Sequence, residues 1–238
     1  MKIKAVLFDL DGTLLPMDQD VFIKAYFGGL VKALAPHGYE PKTLTGAIWT
    51  GTANMIKNDG SRTNEQAFWE VFASVYGEAA KKDEPYFDAF YESPDGFDKV
   101  REVLGYTERA HEIIALVKAL GLRAVLATNP VFPAIATRKR ISWAGLNPED
   151  FELYTTYENS CFCKPNIAYY KEILEKLNLT PEECLMVGND VGDDMVAQQL
   201  GMKVFLLTDC LINKTERNAS EFPSGSFDEL SDFIKSLG

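Results

Sequence analysis

Asp9 and Asp11 in FDLDGTL close an apolar run near the start of the chain, and three further aspartates, Asp190, Asp193 and Asp194, crowd the segment GNDVGDDM. Crowded carboxylates repel one another, so each group needs a reason for its place. The later cluster follows the apolar run Leu185-Met186-Val187 and can cap a helix, lie in solvent or hold a cation. Asp9 is the hardest to read as incidental, because an unpaired carboxylate at the end of a buried strand is costly. Between the two acidic groups stand Thr128-Asn129 in ATNP and Lys164 in CKPN. A hydroxyl, an amide and an ammonium are the groups that steady anionic oxygens.

Each piece also has a plain structural reading. Asp11-Gly12 is a common turn dipeptide. Thr128-Asn129-Pro130 can mark a helix start, Lys164-Pro165 an exposed loop, and Asp190 a helix N-cap with Asp193 favoured by the dipole. Their shared position argues against four such accidents, since every piece follows a candidate strand.

Those strands are short, rich in Val, Ile and Leu, and apolar on both faces: residues 3–8, 122–128, 152–156, 184–188 and 203–208. Such runs suit a parallel sheet covered on both sides. Helical patterns follow at 108–120, 133–144, 166–177, 192–200 and 227–236. The alternation predicts an α/β fold, a doubly wound, Rossmann-like parallel-sheet core, whose ligands bind beyond the carboxyl ends of the strands. Residues 16–107 break the pattern. Phe22, Tyr26, Leu30 and Leu34 recur at helical spacing, widened by Ile23, Phe27 and Val31, and a second helix fits 64–77. The segment is too long for a loop and reads as an inserted helical domain, leaving 1–15 and 108–238 as the core. Residues 213–226 read as a linker.

Composition narrows the partners. A chain of 238 residues that is 46% hydrophobic and 25% charged can bury a sizeable core. Its net charge of −11 argues against binding a phosphate backbone, and the run Arg138-Lys139-Arg140 reads as the solvated face of a helix. No apolar run is long enough to cross a bilayer. The N-terminal apolar run is interrupted by Asp9 and Asp11 and reads as a first strand rather than a signal peptide. Cys161, Cys163, Cys184 and Cys210 lack metal or redox spacing and read as reduced thiols of a cytoplasmic protein.

Taken in order, the strand-end pieces resemble the haloacid dehalogenase-like (HAD) hydrolase superfamily, most of whose members are magnesium-dependent phosphatases. DLDGTL at 9–14 is similar to its first motif, D-x-D-x-T, Thr128 to the second-motif hydroxyl, Lys164 before Pro165 to the third-motif lysine, and GNDVGDDM to the acidic fourth motif. The match covers the core from residue 3 to about 208. The insertion sits where the superfamily places its helical type-one cap. Asn166-Ile167 departs from the usual proline-containing pair, and the fourth motif begins Gly-Asn-Asp rather than Gly-Asp.

The resemblance implies a Mg²⁺-dependent phosphatase acting on a small phosphorylated metabolite, with neither nucleic acid nor membrane as partner and no particular oligomeric state. Physical chemistry agrees. Uncatalysed phosphate monoesters hydrolyse so slowly that up to ~10²¹-fold acceleration is needed, and a covalent route divides the task. Asp9 would attack phosphorus and form an aspartyl-phosphate. Asp11 would protonate the leaving oxygen and then activate water, its pKa pushed up by neighbouring carboxylates. Thr128, Asn129 and Lys164 would hold the phosphate oxygens. Mg²⁺, a hard ion content with few carboxylates, would be ligated by Asp9, the Asp11 carbonyl and one acid of the later cluster. Thr13 and Asn189 would support the site.

The superfamily spaces its two fourth-motif acids in either of two registers, so the pair is Asp190 with Asp194, or Asn189 in the first place with Asp194 in the second. Because an amide attracts a cation less than a carboxylate does, Asp190 is expected as the metal ligand. Asp194 is then the supporting acid near Lys164 or the metal's waters, and Asp193 a surface residue. Dehalogenation is disfavoured by Asp11, since a halide needs no proton. A phosphomutase, a phosphonatase using Lys24, Lys32, Lys42 or Lys57, and a catalytically silent binding protein on this fold remain as alternatives.

Overall fold

The structure, a computed structural model, describes residues 2–215 and 217–237. Strands β1 (Ala5–Phe8), β2 (Arg123–Leu126), β3 (Leu153–Tyr154), β4 (Cys184–Gly188), β5 (Lys203–Leu207) and β6 (Ser224–Gly225) form one sheet in the order β3-β2-β1-β4-β5-β6. All pairings are parallel. Each residue of β1 is fully buried, and alternate side chains feed different layers. Val6 and Phe8 face a core shared with Ile113 and Val117, whereas Ala5 and Leu7 face one built on Tyr169, Tyr170 and Ile173. A sheet covered on both faces needs apolar residues at successive positions, which is why alternation is absent from these strands.

Helices α5 (Arg109–Ala119), α6 (Ala134–Trp143), α7 (Ile167–Leu177) and α8 (Phe227–Ser236) flank the sheet close to their expected bounds. The helix expected over 192–200 is different. Residues 191–194 form turns, and a short 3-10 helix runs Met195–Leu200. Gly192 lies within this stretch, and Gly201, in the left-handed region at φ 98°, closes it. The expected linker at 213–226 also holds the edge strand β6.

Between β1 and α5 lie α1 (Gln19–Leu34), α2 (Pro41–Ile56), α3 (Asn64–Tyr76) and α4 (Glu84–Glu92). The Asp18 carboxylate starts α1 by accepting from the Asp20 and Val21 N–H groups at 2.9 and 3.0 Å. The expected stripe of Phe22, Tyr26, Leu30 and Leu34 is its buried face. Helices α2 and α4 lie outside the patterns singled out above, although Phe87, Phe90 and Tyr91 give α4 a buried face at helical spacing. In α2 the contact with α3 is made at Gly51, where a Cβ would meet the Phe68 ring at 2.6 Å, so a glycine marks a packing face that periodicity counts as polar. The two connections to the core lie side by side, the Gly105 N–H donating to the Pro16 carbonyl at 2.8 Å. Among the described residues no helix is long and apolar enough to cross a membrane.

Candidate active site

The strand order places β1 against β4 at the sheet's centre, where the order reverses and a crevice opens beyond the carboxyl ends. Asp9 follows β1 directly and is held in register by its N–H, which donates to the Val187 carbonyl at 2.9 Å. Its carboxylate is buried yet well partnered. Oδ1 lies 2.8 Å from Lys164 Nζ, and Oδ2 accepts from the Thr13 hydroxyl at 3.2 Å. The same ammonium reaches Asp194 Oδ1 at 2.6 Å. Lys164 and Asp194 are both essentially inaccessible to solvent. Burial works against the Lys164 charge, but the carboxylates of Asp194 and Asp9 outweigh it and hold the lysine well above its usual pKa. Burial also pushes the Asp194 carboxyl up to about 7, against the pull of Lys164.

The loop after β4 divides its polar residues. Asn189 is consumed internally: Oδ1 accepts from the Thr13 hydroxyl at 2.9 Å, and Nδ2 donates to the Cys210 carbonyl at 2.7 Å. Asp190 Oδ1 caps the following turn, accepting from the Gly192 and Asp193 N–H groups at 2.7 and 3.0 Å. Its Oδ2 accepts no hydrogen bond among the described residues. Asp194 Oδ2 takes the Asp190 N–H at 3.0 Å, so one buried carboxylate ties the loop to Lys164. Asp193 is not the surface residue expected. It is partly buried and lines the central cavity, and burial raises its pKa. The turn in place of a helix start swings it inward. Gly188 is what lets Asp194 approach, since a Cβ there would collide with its carboxylate. Gly188→Ala is therefore expected to cost about 1–3 kcal/mol in urea unfolding and to disrupt the Lys164 pair.

Asp11 also lies in the crevice, and its partner comes from the basic run read as solvated. Arg138 is exposed, but Arg140 is fully buried. Its guanidinium pairs with Asp11 Oδ2 and sits 4.5 Å from the centre of the Phe132 ring. Helical period explains the difference. Arg140 shares a face with the buried Ala136, Thr137 and Ile141, a position legible in the sequence had the run been read by face rather than by charge. Asp11 Oδ1 and Arg140 Nε are buried without hydrogen-bond partners. Burial raises the Asp11 pKa, Arg140 draws it down, and the Asp9 charge raises it further, the balance being upward.

Thr128 is fixed through its carbonyl, which accepts from Thr155 Oγ1 at 2.6 Å and Tyr169 Oη at 2.9 Å. Its own hydroxyl has no partner among the described residues. Asn129 Oδ1 accepts from the Lys164 N–H at 3.2 Å, and its amide hydrogens have no partner among the described residues. Tyr169 and Thr155, which brace this loop, carry no motif and went unmarked in the sequence. Asp9, Asp11, Thr128, Asn129, Lys164, Asn189, Asp190 and Asp194 all border one cavity of about 370 Å³, roofed by α1–α4. Thr13 is buried behind Asp9. Lys24, Lys32, Lys42 and Lys57 are exposed and do not line the cavity, so none is placed to form an imine there.

The oxygen donors suit a hard cation that retains water. Among the described residues no three Asp, Glu, His or Cys side chains gather as a ready-made metal cluster. The crevice instead offers single oxygens, including the orphaned Asp11 Oδ1. Magnesium, unlike calcium, is usually held by one or two carboxylates and keeps several of its own waters.

Known proteins resemble this chain along its whole length. Pyrophosphatase PpaX of Bacillus thuringiensis strain Al Hakam is 25% identical over 239 aligned positions, covering 100% of this chain and 97% of that protein. The 2-haloacid dehalogenase of Pseudomonas syringae pv. Tomato DC3000 superimposes with a TM-score of 0.63 at 17% identity, covering 99% of this chain and 100% of that one. A HAD phosphatase from Thermococcus onnurineus does so with a TM-score of 0.58 at 18% identity, covering 98% of each chain. Fold alone therefore groups this chain with phosphatases and dehalogenases alike. A family model, that of the haloacid dehalogenase-like hydrolases, matches residues 3–201, and the chain belongs to that family.

Proposed function

We propose that the chain is a Mg²⁺-dependent phosphatase that hydrolyses a small phosphate monoester through an aspartyl-phosphate on Asp9. The observation that carries the reading is the pairing of two acids at one strand end. Asp9 is held by Lys164 and Thr13, and Asp11, two residues later, borders the same cavity. Residues 1–15 and 108–238 act as the catalytic core and 16–107 as a cap that roofs it.

Asp9 attacks phosphorus in line, and the phosphorus–oxygen bond to the alcohol breaks. Asp11 gives its proton to the departing oxygen. It then takes a proton from the water that attacks phosphorus and releases Asp9. Lys164, the Thr128 hydroxyl and the Asn129 amide hold the non-bridging oxygens as charge shifts among them. Asp9, the Asp11 carbonyl and Asp190 would hold Mg²⁺, which supplies positive charge between an anionic nucleophile and a dianionic substrate. Asp194 positions Lys164, and Thr13 and Asn189 brace Asp9.

The test is hydrolysis of p-nitrophenyl phosphate and a panel of phosphorylated metabolites with and without Mg²⁺. Turnover that requires the metal supports the reading, and no turnover of any ester removes it. In the same assay Asp190→Asn is expected to raise the Mg²⁺ concentration for half-maximal rate at least ~10-fold. An unchanged requirement in Asp190→Asn, with a strong weakening in Asp194→Asn, would show that Asp194 and not Asp190 is the ligand.

Acids whose pKa is raised on folding also set the pH dependence of stability. Asp194, moved up to about 7, binds its proton more tightly folded than unfolded, where a carboxyl titrates near ~4. Its favourable contribution is full below ~4 and is lost as pH rises through about 7. Burial gives Asp11 and Asp193 the same sign. The metal-free protein should therefore melt higher at pH ~5.5 than at pH ~8, and Mg²⁺ should raise Tm more at the higher pH, as scanning calorimetry would show.

A further inference from the structure

Beyond the phosphate end, the cavity changes character. Phe27 of α1, Trp49 of α2, Phe68 of α3 and Phe132 after β2 form its walls, and Glu84 and Asp88 stand one turn apart on α4. Trp49 is 48% exposed and lies 5.4 Å from Phe27, ring centre to ring centre, an aromatic pair left open to solvent beside the cavity. Among the described residues Lys164 is the one cation in the lining, and it is already committed to Asp9 and Asp194. Neither Glu84 nor Asp88 forms an ion pair among the described residues.

We propose that the substrate is the phosphate monoester of an apolar, ring-bearing alcohol, and that Glu84 and Asp88 set specificity against substrates with a second anionic group. The inference rests on the phosphatase reading and narrows it. A ring seated among Phe27, Trp49, Phe68 and Phe132 removes apolar surface from water and gains edge or stacked contacts. A second phosphate or a carboxylate would have to leave water for these walls with no cation to receive it. It would also approach two acids whose charges oppose it. Pyrophosphate, the substrate in the name of the Bacillus relative, carries such a second phosphate.

The experiment compares kcat/KM of the full chain with Mg²⁺ for 2-phenylethyl phosphate, ethyl phosphate, 2-phosphoglycolate and pyrophosphate. The first two release alcohols of similar acidity, so their ratio reads the ring. The expected preference for the phenylethyl ester over ethyl phosphate is about 10- to 100-fold, with the two polyanions below both esters. Trp49→Ala should shrink the ester ratio several-fold, and Glu84→Gln with Asp88→Asn should raise pyrophosphate relative to the phenylethyl ester. Equal rates for the two esters, or faster turnover of either polyanion, would overturn the inference while leaving the phosphatase reading standing. If nothing is hydrolysed, that reading fails instead, and calorimetric titration with 2-phenylethyl phosphate and pyrophosphate then decides the site. Tighter binding of pyrophosphate overturns the inference, and tighter binding of the ester sustains it as a statement about ligand class.

Discussion

Asp9→Asn is expected to lower turnover of phosphate monoesters by roughly 10⁵-fold or more, because an amide cannot act as the nucleophile and no neighbour can replace it. Asp194 shares Lys164 with Asp9, but is sealed under that ammonium with essentially no exposure. The variant should fold. Asparagine keeps the shape and still accepts from Thr13, and Lys164 retains Asp194 as counter-charge. Far-UV circular dichroism and a cooperative melt near that of the parent would show that the loss is chemical. Residual activity within ~100-fold of the parent would mean that Asp9 is not the nucleophile.

Arg140→Met should have the largest effect on stability. The substitution leaves Asp11 in a low-dielectric setting without the charge that balances it, and breaking one side of a buried pair costs about 3–5 kcal/mol. Against a total of about 5–15 kcal/mol for a typical domain, that is a large share, readable as a lower urea midpoint at unchanged slope. Arg140→Lys should fall between the two, since an ammonium cannot both reach Asp11 and lie flat over Phe132. Arg140 touches Asp11 rather than the substrate, so it is a positioning residue. Its kinetic signature should be selective: esters of poorly acidic alcohols slow more than p-nitrophenyl phosphate, whose leaving group scarcely needs a proton. A stability loss under ~1 kcal/mol would mean that Arg140 does not balance a buried Asp11.

Most of the core was readable because its signal is local. Five apolar runs became five strands, and the residues after β1, β2 and β4, together with Lys164 beyond β3, meet where a parallel sheet must deliver them. What the sequence hid depends on three-dimensional context. The helix α2 escaped notice because its packing face of Leu44, Ala47, Ile48 and Met55 is interrupted by Gly51, and only contact with Phe68 shows that glycine to be buried. Arg140 was misjudged because a run of three basic residues suggests solvent, although one position in three must turn inward on a packed helix. Asp193 was misplaced because the helix expected to carry it outward is a turn. The partition of Asn189, Asp190 and Asp194 could be narrowed but not assigned from spacing. Hydrogen bonds now separate them: the amide is spent on Thr13 and Cys210, one carboxylate on Lys164, and Asp190 keeps an oxygen that has no partner among the described residues.

Phosphate is expected to pass through a covalent bond to Asp9. The direct measurement is to mix enzyme, Mg²⁺ and excess monoester, quench in acid within the first turnover, digest, and weigh the peptides. One added phosphoryl group is expected on the peptide that carries Asp9, localised to that residue by fragmentation and absent from Asp9→Asn. Burst release of alcohol with no label on Asp9, or label on another side chain, would contradict it.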